Sequence, residues 1–185
     1  MSGLTLSKQA ATTSREASAG KGGSMVSQYL IFSLGGELFG VGTLRVREII
    51  EWGNLTTVPM MPAFMRGVIN LRGAVVPVID LNARFGRART EVSRRTCIVI
   101  LEVQADEDTF VLGVIVDAVS AVRQIERSQI EPPPSFGTRI RADFIDGMAK
   151  VNSGFAILLN LGMVLSIDEL SDLQTFDSAG AHAPA

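Results

Sequence analysis

The chain has 185 residues, of which 46% are hydrophobic and 19% charged, and a formal net charge of −2. That length suits one ordinary domain or two small fused ones. The charge balance excludes the basic footprint of a nucleic-acid binder, and with aromatics at only 6% stacking surfaces are scarce as well. No apolar run reaches the roughly 18–20 residues that a membrane helix needs.

Residues 1–26 are rich in Ser, Ala, Thr and Gly. They cannot bury enough apolar surface to offset their ordering entropy and read as a disordered arm. The arm has no apolar core of a secretory signal, so a cytoplasmic protein is expected. "AGKGGS" in the arm lacks the G-x-x-x-x-G-K-[ST] spacing of a phosphate loop and has no strand before it.

"QYLIFSLGGELFGVG" (28–42) places two apolar runs around Gly35-Gly36, a hairpin signature. "TLRVREII" follows as a bent strand. "PAFMRG" (62–67) can form one helical turn with Pro62 at its start. "GVINLRGAVVPVIDL" (67–81) reads as a second hairpin, with Arg72-Gly73 as a two-residue turn. Pro77 has no N–H to donate, so its strand should be an edge or carry a bulge there. "DLNARFG" (80–86) offers a short helix, with Asp80 as cap and Gly86 as stop.

"CIVILEVQADEDTFVLGVIV" (97–116) repeats the hairpin plan, with a longer acidic loop from Gln104 to Thr109. Cys97, the single cysteine, lies in an apolar strand and fits a reducing compartment. "LSIDELSDLQTF" carries a capping box (Ser166, Glu169) and a hydrophobic staple (Leu165, Leu170), which predicts a C-terminal helix within 166–176. Residues 178–185 form a small tail that holds the one histidine, His182, where no fixed base can stand.

The chain contains an internal repeat. A shift of 80 positions places "GVINLRGAVVPVIDL" (67–81) on "GMAKVNSGFAILLNL" (147–161) without a gap. "FGVGTLRVREII" (39–50) likewise matches "LGVIVDAVSAVR" (112–123) in its glycine and in the spacing of Val46 and Val119. Each unit offers hairpin, bent strand, Pro-rich connector and hairpin, and five such strands close a small barrel. The expected fold is all-β: two five-stranded barrels, mainly 27–90 and 95–162, plus the short C-terminal helix. At the turn matching Arg72-Gly73 the second unit has Asn152-Ser153, so the turn itself does not require arginine.

No catalytic set emerges. The acids Glu37, Glu48, Glu51, Asp80, Asp117, Asp143 and Asp146 are scattered, and Cys97 has no cationic motif beside it. No enzyme, metal or cofactor is expected. What remains is surface. Val46 is either core or contact, Glu48 a solvated face or contact, and Phe136, after the stiff "EPPPS", a core plug or contact. Arg72 is a solvated turn residue or the tip that a partner reads.

"YLIFSLGGELFGVGTLRVREII", "PAFMRGVINLRGAVVPVIDL" and "LGVIVDAVSAV" together resemble the CheW family of chemotaxis coupling proteins, over Gln28 to Phe176. The resemblance places a CheW-like domain at 27–177. It implies two SH3-like barrels and a scaffold that links methyl-accepting chemotaxis receptors to the regulatory domain of a CheA-type histidine kinase. It implies a monomer alone that forms arrays with its partners, recruited to the inner face of the membrane, with no nucleic acid and no membrane insertion. Carried onto this chain, the kinase contacts fall on Val46, Glu48 and Phe136. The receptor contacts fall on Gly67, Arg72, Gly73, Val75, Gly113 and Val119. Control of pili, development or a second messenger is the alternative output to flagella.

Overall fold

The computed structural model describes residues 25–135, 140–152 and 154–166. Eleven strands dominate. Unit one supplies β1 (Val26–Leu34), β2 (Glu37–Gly42), β3 (Val46–Glu51), β4 (Met65–Leu71), β5 (Ala74–Asp80) and the helical turn α1 (Leu81–Arg84). Unit two supplies β6 (Cys97–Ala105), β7 (Asp108–Val116), β8 (Ala118–Glu126), β9 (Ile130–Glu131), β10 (Ile145–Val151), β11 (Gly154–Leu159) and α2 (Leu161–Val164). Residues 1–24 of the arm, Phe136 and the predicted C-terminal helix beyond Ser166 lie outside the described residues, and the arm ends earlier than expected, since Val26 already pairs with Glu126 in β1.

The strands form two sheets, in the orders β3-β6-β7-β5-β4 and β8-β1-β2-β11-β10-β9. These correct the expected partition. A division between residues 90 and 95 separates neither sheet, because the units exchange their first hairpins. β6 and β7 sit between β3 and β5, and β1 and β2 sit between β8 and β11. Barrel one therefore joins β3, β4 and β5 to the hairpin of unit two, and barrel two does the reverse. The sixth strand of barrel two, β9, has only two residues, and its counterpart in barrel one is the single bridge Thr56–Val68.

The repeat holds residue by residue. The parallel pairings match, Val78 with Gly113 and Leu158 with Gly40. Both last hairpins carry a bulge at the start, between Met65 and Gly67 and between Ile145 and Gly147. Asp80 caps α1 and Asn160 caps α2. Their amides donate to the carbonyls of Phe64 and Phe144 at 2.7 and 2.8 Å.

Burial follows from this exchange. Each barrel has an interior of its own: Ile69, Val76, Val78, Ile98, Ile100 and Ile115 in one, and Ile31, Ile125, Ala149, Val151, Ala156 and Leu158 in the other. A larger third cluster draws on both sheets and α2, with Phe32, Phe39, Leu101, Leu112, Val164 and their neighbours. Exchanged hairpins cover both barrels with one continuous core, and neither unit builds its sheet from its own strands alone. Phe32, Phe39, Phe85 and Phe144 stack through it, with centroids 5.6–6.2 Å apart.

Two local expectations need correction. Gln104 to Thr109 is no long loop: Gln104 pairs with Thr109 and Ala105 with Asp108, leaving a two-residue turn with Asp106 at φ 54°. The alternation of polar and apolar residues carries the strands further than the acidic residues suggest. The 62–67 helical turn is a single tight turn, Met65 N–H to Pro62 carbonyl at 2.9 Å, because β4 starts at Met65. Pro77 lies opposite Val68, which gives both its backbone groups to Thr56 at 2.8 and 2.9 Å. The ladder to β7 starts at Val78. Pro77 thus sits at a ladder end inside an interior strand, where its missing donor costs nothing.

Gly67 and Gly147 mark where the connector crosses each bulge. A Cβ on Gly67 would lie 2.2 Å from the Thr56 carbonyl oxygen, and Gly67 has φ +148°. A Cβ on Gly147 would meet the Ile130 Cγ2 at 2.4 Å and the Glu131 carbonyl oxygen at 3.0 Å. Gly67→Ala must push backbone aside and strain its own, at a cost of about 2–4 kcal/mol. Gly147→Ala meets the Ile130 methyl first and backbone less closely, with no positive φ to strain, and its cost is smaller. Paired urea melts of the two variants check this order.

Candidate partner-binding surfaces

The face of barrel one brings the predicted surface residues together. Arg72 heads the β4–β5 turn at φ +52°, followed by Gly73 at +85°. Two positive φ angles in a two-residue hairpin are the geometry that matches the right-handed twist of the strands. The Asn70 side-chain oxygen fixes the turn by accepting from the Gly73 amide at 2.9 Å. Asn152 takes the matching place in barrel two at φ +47°. Asparagine tolerates this region and arginine does not favour it, so conformation gives no reason for arginine at 72.

The side chain gives one. Arg72 donates to both carboxylate oxygens of Glu48, from NH1 at 2.8 Å and from NH2 at 3.1 Å. The Arg72 side chain is 79% exposed and that of Glu48 26%. Glu48 lies on β3 and Arg72 on the last hairpin, so the pair closes the open side of barrel one. An exposed pair of this kind contributes little to stability, about 0–1 kcal/mol. Its two-pronged geometry does fix the guanidinium in one orientation with donors still free for another acceptor. Barrel two closes differently, with Arg123 donating to the Asn152 side chain at 3.2 Å.

The structure therefore joins Glu48, expected at the kinase contact, to Arg72, expected at the receptor contact. Val75 stands close by, opposite Asn70 on the hairpin, and is 57% exposed. Gly73 is exposed as well. Val46 and Val119 hold matching places on the bent strands. Both are half-buried and pack against the shared core, so each offers an edge rather than a whole side chain.

Gly67 and Gly113 lie beneath the surface, both of them buried. A Cβ on Gly113 would stand 2.7 Å from Ile98 Cγ2 and 3.3 Å from Val78 Cγ2. These glycines let neighbouring strands and side chains approach closely. Residue type and motif position could not separate close packing from contact.

Two apolar residues escaped the sequence reading. Leu44 is 99% exposed in the turn before β3, and Ile49 is 44% exposed on β3 beside Glu48. Strict alternation from Val46 would have turned Ile49 outward, the one signal that could have found it. With Val75 they are exposed apolar residues on or next to the strands that carry the charge pair.

The chemistry elsewhere is quiet. Burial pushes the Cys97 thiol up, against a weaker opposite pull from a backbone hydrogen bond at Val119, so the thiolate is disfavoured. Among the described residues no group of three or more His, Cys, Asp or Glu could hold a metal ion. No helix among them is long and apolar enough to cross a membrane. Asp80 is fully buried, but all its partners belong to the fold: it accepts from Thr90 N and Oγ1 at 2.8 Å each, from Asn82 N at 3.1 Å and from Arg66 NH1 at 2.9 Å.

Comparison with known proteins agrees with this geometry. Residues 28–169 match the CheW-like domain. The chemotaxis protein CheW of Klebsiella aerogenes is 32% identical over 150 residues, covering 81% of this chain and 88% of its own. Protein FrzA of Myxococcus xanthus is 30% identical, covering 75% and 84%. The crystal structure of the scaffolding protein TtCheW from Thermoanaerobacter tengcongensis superposes with a TM-score of 0.70 at 35% identity, over 81% of this chain and 94% of that one. A family match over most of the chain, joined to two exchanged barrels with one shared core, makes this chain a member of the CheW family.

Proposed function

We propose that the chain is a non-enzymatic adaptor that couples methyl-accepting chemotaxis receptors to a CheA-type histidine kinase. One observation carries the reading: an arginine that its turn does not need is held by Glu48 in a fixed, exposed orientation. Arg72, Gly73, Val75 and Val119 form the receptor-facing set, with Gly67 and Gly113 shaping the strands beneath them. Val46, Glu48 and Phe136 form the kinase-facing set. Glu48 belongs to both, since it orients Arg72. The family relation supports the adaptor reading, and the place of work is the cytoplasmic side of a receptor array.

Binding is measured with the purified chain against the kinase regulatory domain and against a receptor cytoplasmic fragment. Both should be captured at micromolar concentrations, and capture of neither contradicts the proposal. Val75→Asp should weaken receptor capture about tenfold and leave kinase capture unchanged, because a charge at an apolar rim costs on the order of 1–2 kcal/mol. An array that controls pili, development or a second messenger would use the same contacts. The 30% relative named FrzA motivates testing a receptor–kinase pair of that type alongside a flagellar one.

A further inference from the structure

The two barrels differ at one end. In barrel one, Trp52 follows β3 and packs with Leu55 against the barrel interior. The Arg66 guanidinium stands 5.3 Å above its ring. Strand register identifies the counterparts in barrel two. The step that carries Val46 onto Val119 carries Trp52 onto Ile125, opposite Ser27 on β1. The step that carries Gly67 onto Gly147 carries Arg66 onto Asp146 and Val78 onto Leu158.

Barrel two thus has an isoleucine where barrel one has its indole, and a carboxylate where barrel one has the guanidinium over that ring. The space is open. A cavity of about 370 Å³ is lined by Tyr29, Ile125, Arg127, Ile130, Asp146 and Leu158, together with Met25 and Ser27. Its lining combines apolar side chains (Ile125, Ile130, Leu158) with polar ones (Tyr29, Arg127, Asp146), the usual composition of a site that takes a ring and fixes its orientation. Among the described residues, neither the Asp146 carboxylate nor the Arg127 guanidinium has an ion-pair partner. Burial, and then the nearby Asp146 charge, push the Tyr29 hydroxyl up, so Tyr29 stays a neutral donor at the wall.

We propose that this cavity receives an indole-sized aromatic side chain from a peptide segment of a protein partner, with a lysine or arginine beside the ring to meet Asp146. The sister barrel supplies the template, since there the same place holds an indole with a cation above it. In barrel two the cation is replaced by an acid, so charge complementarity requires that the cation arrive with the ring. Arg127 offers its donors to carbonyl oxygens of the incoming backbone. The cavity belongs to barrel two, whereas the Arg72–Glu48 pair closes barrel one.

The test uses the full chain with labelled isoleucine methyl groups and short capped peptides as probes. Acetyl-Ala-Trp-Arg-Ala-amide should give saturable shifts at Ile125 and Ile130. Replacing the peptide's tryptophan by alanine should weaken binding at least tenfold, and replacing its arginine by glutamate several-fold. Asp146→Asn should reduce the preference for arginine over glutamate to less than twofold. Ile125→Trp should fill the cavity as Trp52 fills barrel one, with an unchanged or raised melting temperature and no peptide-induced shift at Ile130. Equal binding of the ring-free peptide, no saturable shift, an undiminished charge preference in Asp146→Asn, or a lowered melting temperature in Ile125→Trp would each overturn the proposal.

Discussion

Replacing Asp80 by alanine should cost about 3–5 kcal/mol of stability, the loss expected when one partner of a buried ion pair is removed. Asp80 is fully buried and collects donors from three directions: the α1 amides of Asn82 and Ala83, the amide and hydroxyl of Thr90, and the Arg66 guanidinium. Truncation strands all of them at once. The Arg66 side chain is only 17% exposed and would keep a charge with no counter-ion, and a buried donor left unmet carries its full desolvation cost. Asp80→Asn should fall between wild type and alanine, since it keeps a cap but loses the charge. Chemical denaturation with an unchanged m-value would measure the loss cleanly. A change below about 1 kcal/mol for alanine would mean that Asp80 is not the hub that ties the 85–96 connector to barrel one.

Replacing Arg72 by alanine should have the opposite profile. Stability should change by less than about 1 kcal/mol, because the Arg72–Glu48 pair is exposed. Receptor affinity should fall by about 30-fold or more, the loss typical of an arginine at the centre of an interface. The charge exchange Arg72→Glu with Glu48→Arg separates two explanations. It restores an ion pair across the mouth of the barrel but moves the guanidinium from the hairpin tip to β3. If a partner reads the tip, coupling stays lost. If the pair serves only to close the barrel, coupling returns.

Much of this architecture was legible because it is local. The Gly35-Gly36 and Arg72-Gly73 turns, the Asp80 cap and the 80-residue repeat are all written in short stretches, and the structure places each where the residues indicate. The exchange of hairpins was not legible. β1 pairs with β8 across some ninety positions, and since the units resemble each other, a hairpin carries an apolar pattern that fits either barrel equally well. Sequence therefore yields the parts list and leaves the partnering to the shared core, in which Phe32 and Phe39 of one unit pack with Leu101 and Leu112 of the other.

The candidate surface was legible in the same uneven way. Arg72 stood out because its matching turn holds asparagine, and Glu48 because of its motif. That they touch could not be read, since β3 and the β4–β5 hairpin stand at opposite ends of one sheet order and meet only when the sheet curls. The close packing around Gly67 and Gly113 was not legible either, since only atomic neighbours reveal that a Cβ has no room at these positions. Ile49 was missed although β3 alternates strictly, because an isoleucine inside an apolar run reads as core unless that alternation is followed from Val46.

The most direct test of the adaptor account is kinase control in a reconstituted mixture of receptor, CheA-type kinase and this chain. Adding the wild-type chain should bring kinase autophosphorylation under receptor control, with the signal abolished by attractant, and adding Arg72→Ala at equal concentration should not. Kinase activity that is indifferent to the wild-type chain across its binding range, or equally controlled by Arg72→Ala, would contradict it.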